Sequence, residues 1–374
     1  MNLVQYLPLA LLGLLLLLNL FYHYKFWLRL LLYKDKQSPF NRQEVPVSVI
    51  IAARNEAVNL EKHLPAFLSQ DYPDFEVVVV NDCSYDESED VLKMMQAQYP
   101  RLKVVTIAEQ AKYPTGKKFA LTLGIKAADH NVLLFSDADC YPASNQWIRQ
   151  MQKQYIDKTE LVLGYGAYAR EKSLLNLFIQ YDSVLTALQY LSHAITRRAY
   201  MGVGRNLSYY RSLFFFHKGF VSHIKHLSGD DDLFVNQAST VNNTRITLEP
   251  EAFTVSLPKK SWSSWHRQKN RHFSTGKFYR SADKMWLGYF AFAHLLLFPA
   301  LAYAVYSYWS NPLWLYISIG VFVFALFHRW LLLGLAARKF GDTRFVWALP
   351  IIDITHPLLQ LGWSLRALLS KNKW

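Results

Sequence analysis

The chain has 374 residues, of which 52% are apolar, 16% aromatic and 18% charged. This composition excludes a disordered chain, a collagen and a small disulfide-stapled scaffold, because apolar residues are abundant and there are only two cysteines. The 41 Lys and Arg residues exceed the 28 Asp and Glu residues, and their concentration beside apolar blocks indicates a membrane surface rather than a nucleic acid.

An apolar block opens the chain. Leu7–Phe26 contains 20 residues, enough to cross roughly 30 Å of hydrocarbon at 1.5 Å per residue. Basic residues follow the block instead of preceding it, and no small-residue cleavage site is evident, which disfavours the alternative of a cleaved signal peptide. Residues 1–33 are therefore predicted to be an uncleaved transmembrane anchor that ends in the cytoplasm.

Strand and helix patterns then alternate through residues 46–284. Strands are predicted at Val47–Ala53, Phe75–Asn81, Val104–Ile107, Asn131–Ser136 and Glu160–Tyr165, and helices at Asn55–Leu68, Asp86–Gln98 and Lys117–Ala128. This alternation predicts an α/β domain with a mostly parallel central sheet.

Apolar blocks return near the C-terminus. Two transmembrane helices are predicted within residues 287–333, separated at Asn311-Pro312, and Arg329 is expected to snorkel from the inner end of the second. Charges and prolines interrupt residues 345–374, so this segment is predicted to be interfacial or re-entrant rather than another span.

Acidic side chains follow the predicted strands of the central sheet. Asp82 ends one strand, and Asp137 and Asp139 follow another. Ligands of parallel sheets bind beyond the carboxyl ends of the strands. Two carboxylates one residue apart repel each other, and a divalent cation relieves that repulsion and can bridge to phosphate. The D-x-D pattern therefore predicts a metal site, although the pattern is weak in isolation.

Three further segments carry candidate functional residues. Lys117 begins a predicted helix, and a helix N-terminus together with an ammonium group favours the binding of an anion. Its neighbour Lys118 is interpreted as a solvated surface lysine. The segment 228–234 places Asp230, Asp231 and Asp232 before an apolar run, and one of these acids is expected to be held near a site as a general base. Residues 262–272 contain basic and aromatic side chains that a membrane-anchoring belt explains only in part.

These motifs, in this order, resemble glycosyltransferase family 2, the membrane-associated inverting enzymes with a GT-A fold. The resemblance covers about residues 47–276. It is carried by the following sequences: RNE after the first strand, NDCSYD, GKKFAL, DAD, GVGRNLSYYRSLF, SGDDDLF and QKNRH. Departures from the family pattern are Asn81 in place of an acid, Gly229 in place of Glu and His272 in place of Trp.

The resemblance implies a nucleotide-sugar-binding GT-A domain flanked by N-terminal and C-terminal transmembrane helices. It assigns roles to the following residues: Asp230 as catalytic base with Asp231 as the alternative, Glu56 and Asp82 at the nucleotide base, Asp137 and Asp139 as ligands of Mg²⁺ or Mn²⁺, Lys117, Gln268 and Arg271 at the donor, and Asn206 and His272 on the acceptor side. The expected partners are a UDP- or GDP-linked sugar, a lipid-linked or glycan acceptor and the membrane.

The expected function is transfer of a sugar to a lipid-linked or growing glycan by a multi-pass protein of the cell membrane whose catalytic domain faces the cytoplasm. A processive polysaccharide synthase is an alternative, since His can stack on a sugar as Trp does. A transporter and a metal-dead binding homologue are the remaining alternatives. The scarcity of charge in the apolar blocks disfavours a transporter. The metal-dead homologue is disfavoured because the four acids expected at the site are all present, namely Asp82, Asp137, Asp139 and Asp230.

Overall fold

The computed structural model describes residues 3–35, 44–108, 116–224, 226 and 228–369. Its strands are β1 (Val47–Ala53), β2 (Phe75–Asp82), β3 (Leu102–Ile107), β4 (Val132–Asp137), β5 (Cys140–Pro142), β6 (Leu161–Leu163), β7 (Gly166–Tyr168), β8 (Leu207–Tyr210), β9 (Thr244–Ile246) and β10 (Thr254–Ser256). Seven of them form the central sheet in the order β3-β2-β1-β4-β8-β6-β9. Only β8 runs against the others, which confirms the predicted mostly parallel sheet.

Helices connect these strands and continue beyond them. They are α1 (Leu7–Tyr22), α2 (Leu28–Leu32), α3 (Ala57–Leu68), α4 (Ser88–Gln98), α5 (Lys117–Ala127), α6 (Trp147–Gln152), α7 (Leu174–Thr196), α8 (Arg211–Phe216), α9 (Asp232–Ala238), α10 (Trp262–Thr275), α11 (Ser281–Leu295), α12 (Leu297–Tyr308), α13 (Pro312–Lys339) and α14 (Leu349–Leu369). The helices predicted before β2, β3 and β4 correspond to α3, α4 and α5.

Both faces of the central sheet are buried. Successive side chains of a strand point to opposite faces, so Val49 and Ile51 pack with the core beneath α3 and α4, while Ile50 packs with α5 and α7. Helix α5 lies close to the sheet because Gly124 has no side chain. A Cβ at that position would lie 2.8 Å from a methyl group of Ile50. This close approach places the first residue of α5, Lys117, at the edge where β1, β2 and β4 end.

A smaller sheet of three strands, in the order β5-β10-β7, lies beside this edge. Strand β10 is antiparallel to β5 and parallel to β7. It connects the chain that follows Asp139 to the strand that ends in Tyr168. The smaller sheet therefore forms a wall of the region into which the central sheet directs its polar side chains.

Three helical stretches within the described residues are long and apolar enough to cross a membrane. They are Leu7–Leu32, Ser281–Tyr308 and Pro312–Lys339. They correspond to the predicted N-terminal anchor and the two predicted C-terminal spans. The second begins earlier and the third ends later than the sequence pattern indicated.

Helix α14 is not one of these apolar stretches, and it packs against α10, α7 and α13. Its Asp353 pairs with Arg329 of α13, with Nη2 and Oδ1 2.9 Å apart. Arg329 is almost fully buried, so the expectation that it snorkels is wrong. Asp353 also accepts hydrogen bonds from Tyr181 of α7 and Trp330 of α13. The charge that interrupts the last apolar segment thus joins α14 to the α/β unit.

Candidate active site

The strand ends bring the predicted acidic residues to one edge of the central sheet. Ala52 of β1 is in register with Asp137, and Ala53 is in register with Asn81. Asp82 and Asp137 therefore end strands on opposite sides of β1, about 10 Å apart at the usual strand spacing. A ligand along this edge can contact both residues.

Asp82 is buried but incompletely paired. No donor among the described residues reaches its Oδ1 or the Oδ1 of the preceding Asn81. Burying a carboxylate oxygen without a hydrogen bond is costly. The two oxygens therefore favour a ligand that presents N–H groups at this end of the edge.

Glu56 lies on the same edge, directly before α3. Its Oε2 accepts a hydrogen bond from Nδ2 of Asn59 at 2.5 Å. Burial raises the pKa of Glu56, and the carboxylates of Asp139 and Asp137 add to the rise. Glu56 therefore faces the D-x-D acids.

Asp137, Asp139 and Cys140 bring their ligand atoms within 4.8 Å of one another. Both carboxylates are half-buried, whereas the thiol is buried and donates to Oδ1 of Asp139. Burial raises the pKa of Cys140 well above its usual value, so the thiol keeps its proton. The carboxylate oxygens of Asp137 and Asp139 suit a hard cation such as Mg²⁺ or Mn²⁺.

Lys117 joins these acids to a second acidic group. Its ammonium lies 2.7 Å from Oδ1 of Asp137 and 2.9 Å from Oδ2 of Asp230. Burial alone would lower the pKa of Lys117, but the two carboxylates outweigh burial and raise it. A charged lysine thus stands between the D-x-D edge and the acidic triplet, Asp230 to Asp232.

The members of the triplet have different environments. The ion pair with Lys117 outweighs burial and lowers the pKa of Asp230. Burial and its acidic neighbours raise the pKa of Asp231 to about 7. The carboxylate of Asp231 accepts hydrogen bonds from the amides of Gly204 and Asp232. Asp230 is therefore the member of the triplet whose ionised form its surroundings favour.

Two neighbours explain the local sequence. Asp232 accepts hydrogen bonds from Thr275 and from the hydroxyl of Tyr279, so it ties α9 to the end of α10. Gly229 has φ +100°, and a Cβ there would lie 2.5 Å from Leu233. The conformation that presents Asp230 thus requires glycine at position 229.

Lys118 is not the solvated surface lysine that the sequence suggested. It is only 5% exposed. Its ammonium donates to the carbonyls of His223, His226 and Ser228 at 2.6, 2.7 and 2.8 Å. Lys118 therefore holds the chain that leads directly into Asp230.

Asn206 is also placed differently from its expected acceptor-side role. It has no exposed surface. Its Nδ2 donates to the carbonyls of Tyr165 and Ala252, and its Oδ1 accepts from the indole of Trp147. The structure contradicts contact with an acceptor, because Asn206 is a buried connection between three segments.

Comparisons with known proteins agree with this geometry. Residues 48–217 match the model of the family described as Glycosyl transferase family 2. The chain carries a family 2 glycosyltransferase domain. Over 251 residues it is 26% identical to "Probable glycosyltransferase YdaM" of Bacillus subtilis, covering 62% of this chain and 55% of that protein. Over 106 residues it is 36% identical to "Glycosyltransferase AglE" of Haloferax volcanii, covering 28% of this chain and 33% of that protein. The chain thus spans about half the length of the first relative and a third of the second.

A solved structure shows the same fold as the glycosyltransferase domain and its helices. It is the "Mannosyltransferase PcManGT from Pyrobaculum calidifontis in complex with GDP-Man and Mn2+". The TM-score is 0.63 at 19% sequence identity, and the match covers 99% of this chain and 100% of that one. The likeness establishes the GT-A fold.

Helix α10 lies beyond the part of the glycosyltransferase domain that the family model matches. Its Gln268 donates to the hydroxyl of Tyr168 at 3.3 Å. Arg271 and His272 are exposed, and within the described part of the chain no hydrogen bond or ion pair is found for the Arg271 side chain. These three side chains are available to a ligand above the smaller sheet.

Sequence reasoning missed the residues that hold α10 to the glycosyltransferase domain. Lys269 pairs with the buried Asp182 of α7 at 2.7 Å. Asp182 also contacts Nε2 of His356 on α14 at 2.9 Å. A signal was present, since Asp182 is the lone acid in the apolar sequence of α7.

Proposed function

We propose that the protein is a membrane-attached, inverting glycosyltransferase. It moves a sugar from a nucleotide-diphosphate sugar to a hydroxyl of a lipid-linked or growing glycan acceptor. The observation that carries this proposal is the position of Lys117 between Asp137 and Asp230. Through Lys117, the D-x-D acids, which suit a metal and a diphosphate, and the buried carboxylate of Asp230 lie in one cleft.

The donor extends along the edge of the sheet. The unpaired oxygen of Asp82 accepts a hydrogen bond from an N–H group of the nucleotide base, and Glu56 lines the same pocket. Asp139 is the main metal ligand, with Asp137 beside it facing the ribose and diphosphate. Gln268 and Arg271 cover the diphosphate from α10. Mannosyltransferase PcManGT, which shares the fold, was solved with GDP-Man and Mn²⁺, and this supports a nucleotide sugar and a divalent ion here.

The acidic triplet supplies the base. Asp230 accepts the proton of the acceptor hydroxyl as that oxygen attacks the anomeric carbon. In the structure Lys117 contacts Asp230, and a bound diphosphate offers this ammonium another anionic partner, which frees an oxygen of Asp230 for the proton. Asp231 is less suited to this role because its two carboxylate oxygens already accept hydrogen bonds from the amides of Gly204 and Asp232.

The leaving group departs as the nucleoside diphosphate. Arg271 and Lys117 neutralise the negative charge that develops on it, and a divalent ion at the D-x-D acids supplies further charge neutralisation when bound. A single in-line displacement needs no covalent intermediate on the protein. The anomeric centre is therefore inverted.

The acceptor approaches from the membrane side. Three apolar helical stretches flank the glycosyltransferase domain, and His272 is exposed next to the residues that cover the donor. Basic residues after α1 and before α11 support a position of the domain on the cytoplasmic face. A hydroxyl on a lipid-linked glycan at this surface is the acceptor that this arrangement suits.

The test uses the full chain in lipid nanodiscs with native lipid extract. A panel of UDP-sugars and GDP-sugars is supplied, and free nucleotide and glycosylated lipid are followed by mass spectrometry, with the anomeric configuration read by NMR. We expect metal-dependent transfer from one donor with inversion. Asp139→Asn and Asp230→Asn should each lose at least 100-fold in turnover, on the scale of ~2.7 kcal/mol for a central catalytic interaction.

Asp90→Asn is the matched control, because Asp90 is an exposed acid of α4 with no part in the contacts described for the cleft. It should keep full turnover. Metal-independent nucleotide release, or no transfer from any donor, would contradict the proposal. Turnover of Asp230→Asn close to that of the unchanged protein would move the base to Asp231.

A further inference from the structure

An exposed apolar cluster lies on the glycosyltransferase domain outside the proposed active site. It consists of Phe215, Phe216, Val221 and Ile224, and we call it the apolar rim. Phe216 is 81% exposed and Val221 is 69% exposed. Their neighbours Phe214 and Phe220 are buried in the core. The buried rings anchor the segment and present the rim to the outside.

The apolar rim is attached to the start of an apolar helical stretch. Ser222, next to Val221, donates to Oε1 of Gln237 at 2.9 Å. The carbonyl of Gln237 accepts a hydrogen bond from Arg280 at 2.7 Å. Arg280 directly precedes Ser281, the first residue of Ser281–Tyr308. The rim therefore lies beside the point where the chain would enter the bilayer.

A second contact leads to the same place. The ring of His226 packs on the ring of Phe278, with centroids 3.9 Å apart. Phe278 is itself exposed and lies three residues before Ser281. The ammonium of Lys277 lies 5.1 Å from the centroid of the Phe278 ring, and Lys284 donates to the carbonyl of Lys277. Lys218 is exposed between Phe216 and Val221 of the rim. Aromatic rings beside lysines match the composition of a membrane-water interface.

We propose that the apolar rim inserts into the cytoplasmic leaflet and that its partner is an anionic lipid surface. Continuity with the entry point of Ser281–Tyr308 identifies the occupant, since a bilayer that surrounds that helix reaches the rim as well. The flanking lysines match the negative charge of the lipid headgroups. A soluble protein partner would have to compete with the bilayer for this surface.

Insertion of the rim has a consequence for the active site, and this step rests on the proposed function. Lys118 binds the carbonyls of His223, His226 and Ser228 in the chain between the rim and Asp230. The depth of the rim in the leaflet therefore sets the height of Asp230 above the lipid headgroups. The rim positions the base at the level of a lipid-linked hydroxyl.

The first experiment measures depth and is independent of activity. Both native cysteines are buried, so a spin label can be attached selectively at Phe216→Cys in the full chain. Accessibility to oxygen and to a water-soluble nickel complex is compared in nanodiscs of anionic lipid. Met94→Cys on α4, also an exposed apolar position, is the control.

We expect the ratio of oxygen accessibility to nickel accessibility at position 216 to be at least three times the ratio at position 94. A label at position 216 that reads as water-exposed as the control would overturn the proposal. Shielding from both probes that depends on protein concentration would also overturn it, because a second copy would then cover the rim.

The second experiment reads the consequence for catalysis. Phe216→Glu combined with Val221→Glu should lower transfer to a lipid-linked acceptor at least tenfold, while metal-dependent hydrolysis of the donor to free nucleotide stays within twofold. Met94→Glu should change neither rate. Equal transfer rates in the double variant and the unchanged protein would refute the link to Asp230. If no transferase activity exists at all, the spin-label result still decides whether the rim inserts.

Discussion

The three hydrogen bonds of Lys118 allow a quantitative prediction. Replacing Lys118 by Met keeps the apolar stem but removes the ammonium from the carbonyls of His223, His226 and Ser228. Hydrogen bonds to charged groups contribute roughly 1.5 kcal/mol or more each, and part of that sum is offset because the ammonium no longer has to be buried. We expect a net loss of about 3 kcal/mol in the stability of this loop.

A loss of that size shifts the equilibrium between the ordered and the displaced loop by about 100-fold, since each 1.4 kcal/mol corresponds to a factor of ten. Amide hydrogen exchange measured by mass spectrometry should therefore speed up in peptides covering residues 217–230 and stay unchanged in β1 and α3. Turnover should fall by a larger factor than the KM for the donor rises, because Asp82 and Asp137 of the donor edge belong to strand ends outside this loop. Lys118→Arg should recover part of the turnover.

Lys126→Met is the control, since Lys126 is exposed on the same helix. It should match the unchanged protein in both measurements. Slow exchange in residues 217–230 of Lys118→Met, together with full turnover, would refute the positioning role. A global fall in thermal stability with accelerated exchange in every strand would show that Lys118 stabilises the whole domain instead.

Three further predictions concern other parts of the structure. Since the pKa of Asp231 is raised to about 7, the folded state holds its proton more tightly than the unfolded state, and stability from this group is lost as pH rises from about 4 through 7. The melting temperature should fall across that range by scanning fluorimetry, and Asp231→Asn should flatten the fall; an unchanged slope would contradict the shift. Cys140→Ser should keep metal-dependent turnover within threefold because a hard cation prefers carboxylate oxygens to a thiol, whereas Asp139→Ala should abolish it; an equal loss in both would make the thiol a ligand. Arg329→Met leaves Asp353 buried without its cation and should destabilise the protein by about 3–5 kcal/mol in detergent melts, while the double variant with Asp353→Leu should recover most of that loss; no recovery would show that the pair does not act as a unit.

The strands and helices from β1 to β4 were readable from the sequence because their signals are local. The apolar run of Val47–Ala53 gave β1 with the same bounds that the structure shows. The placement of Asp82 and Asp137 at strand ends followed in the same way, since parallel strands that share a direction end at one edge. The three apolar stretches could likewise be located by length and composition.

The partners of the buried charges were not readable from the sequence. Lys117 and Lys118 are adjacent, and nothing in the sequence distinguishes them. Lys117 pairs with Asp137, whereas Lys118 donates hydrogen bonds to three carbonyls more than 100 residues away. Asn206 belongs to a motif that resembles an acceptor-side element, yet all its hydrogen-bonding groups are used inside the protein. Such assignments depend on which segments pack together over long sequence distances.

The sequence by itself therefore determined the alternation of strands and helices from β1 to β4, the acidic strand ends and the apolar stretches, because hydrophobic periodicity and chain reversal act over a few residues. The tertiary structure alone decided which member of the acidic triplet pairs with Lys117, where Arg329 lies and what holds α10 in place. Each of these depends on burial and on charges brought close by folding, and both the energy of a buried charge and its pKa are set by those neighbours.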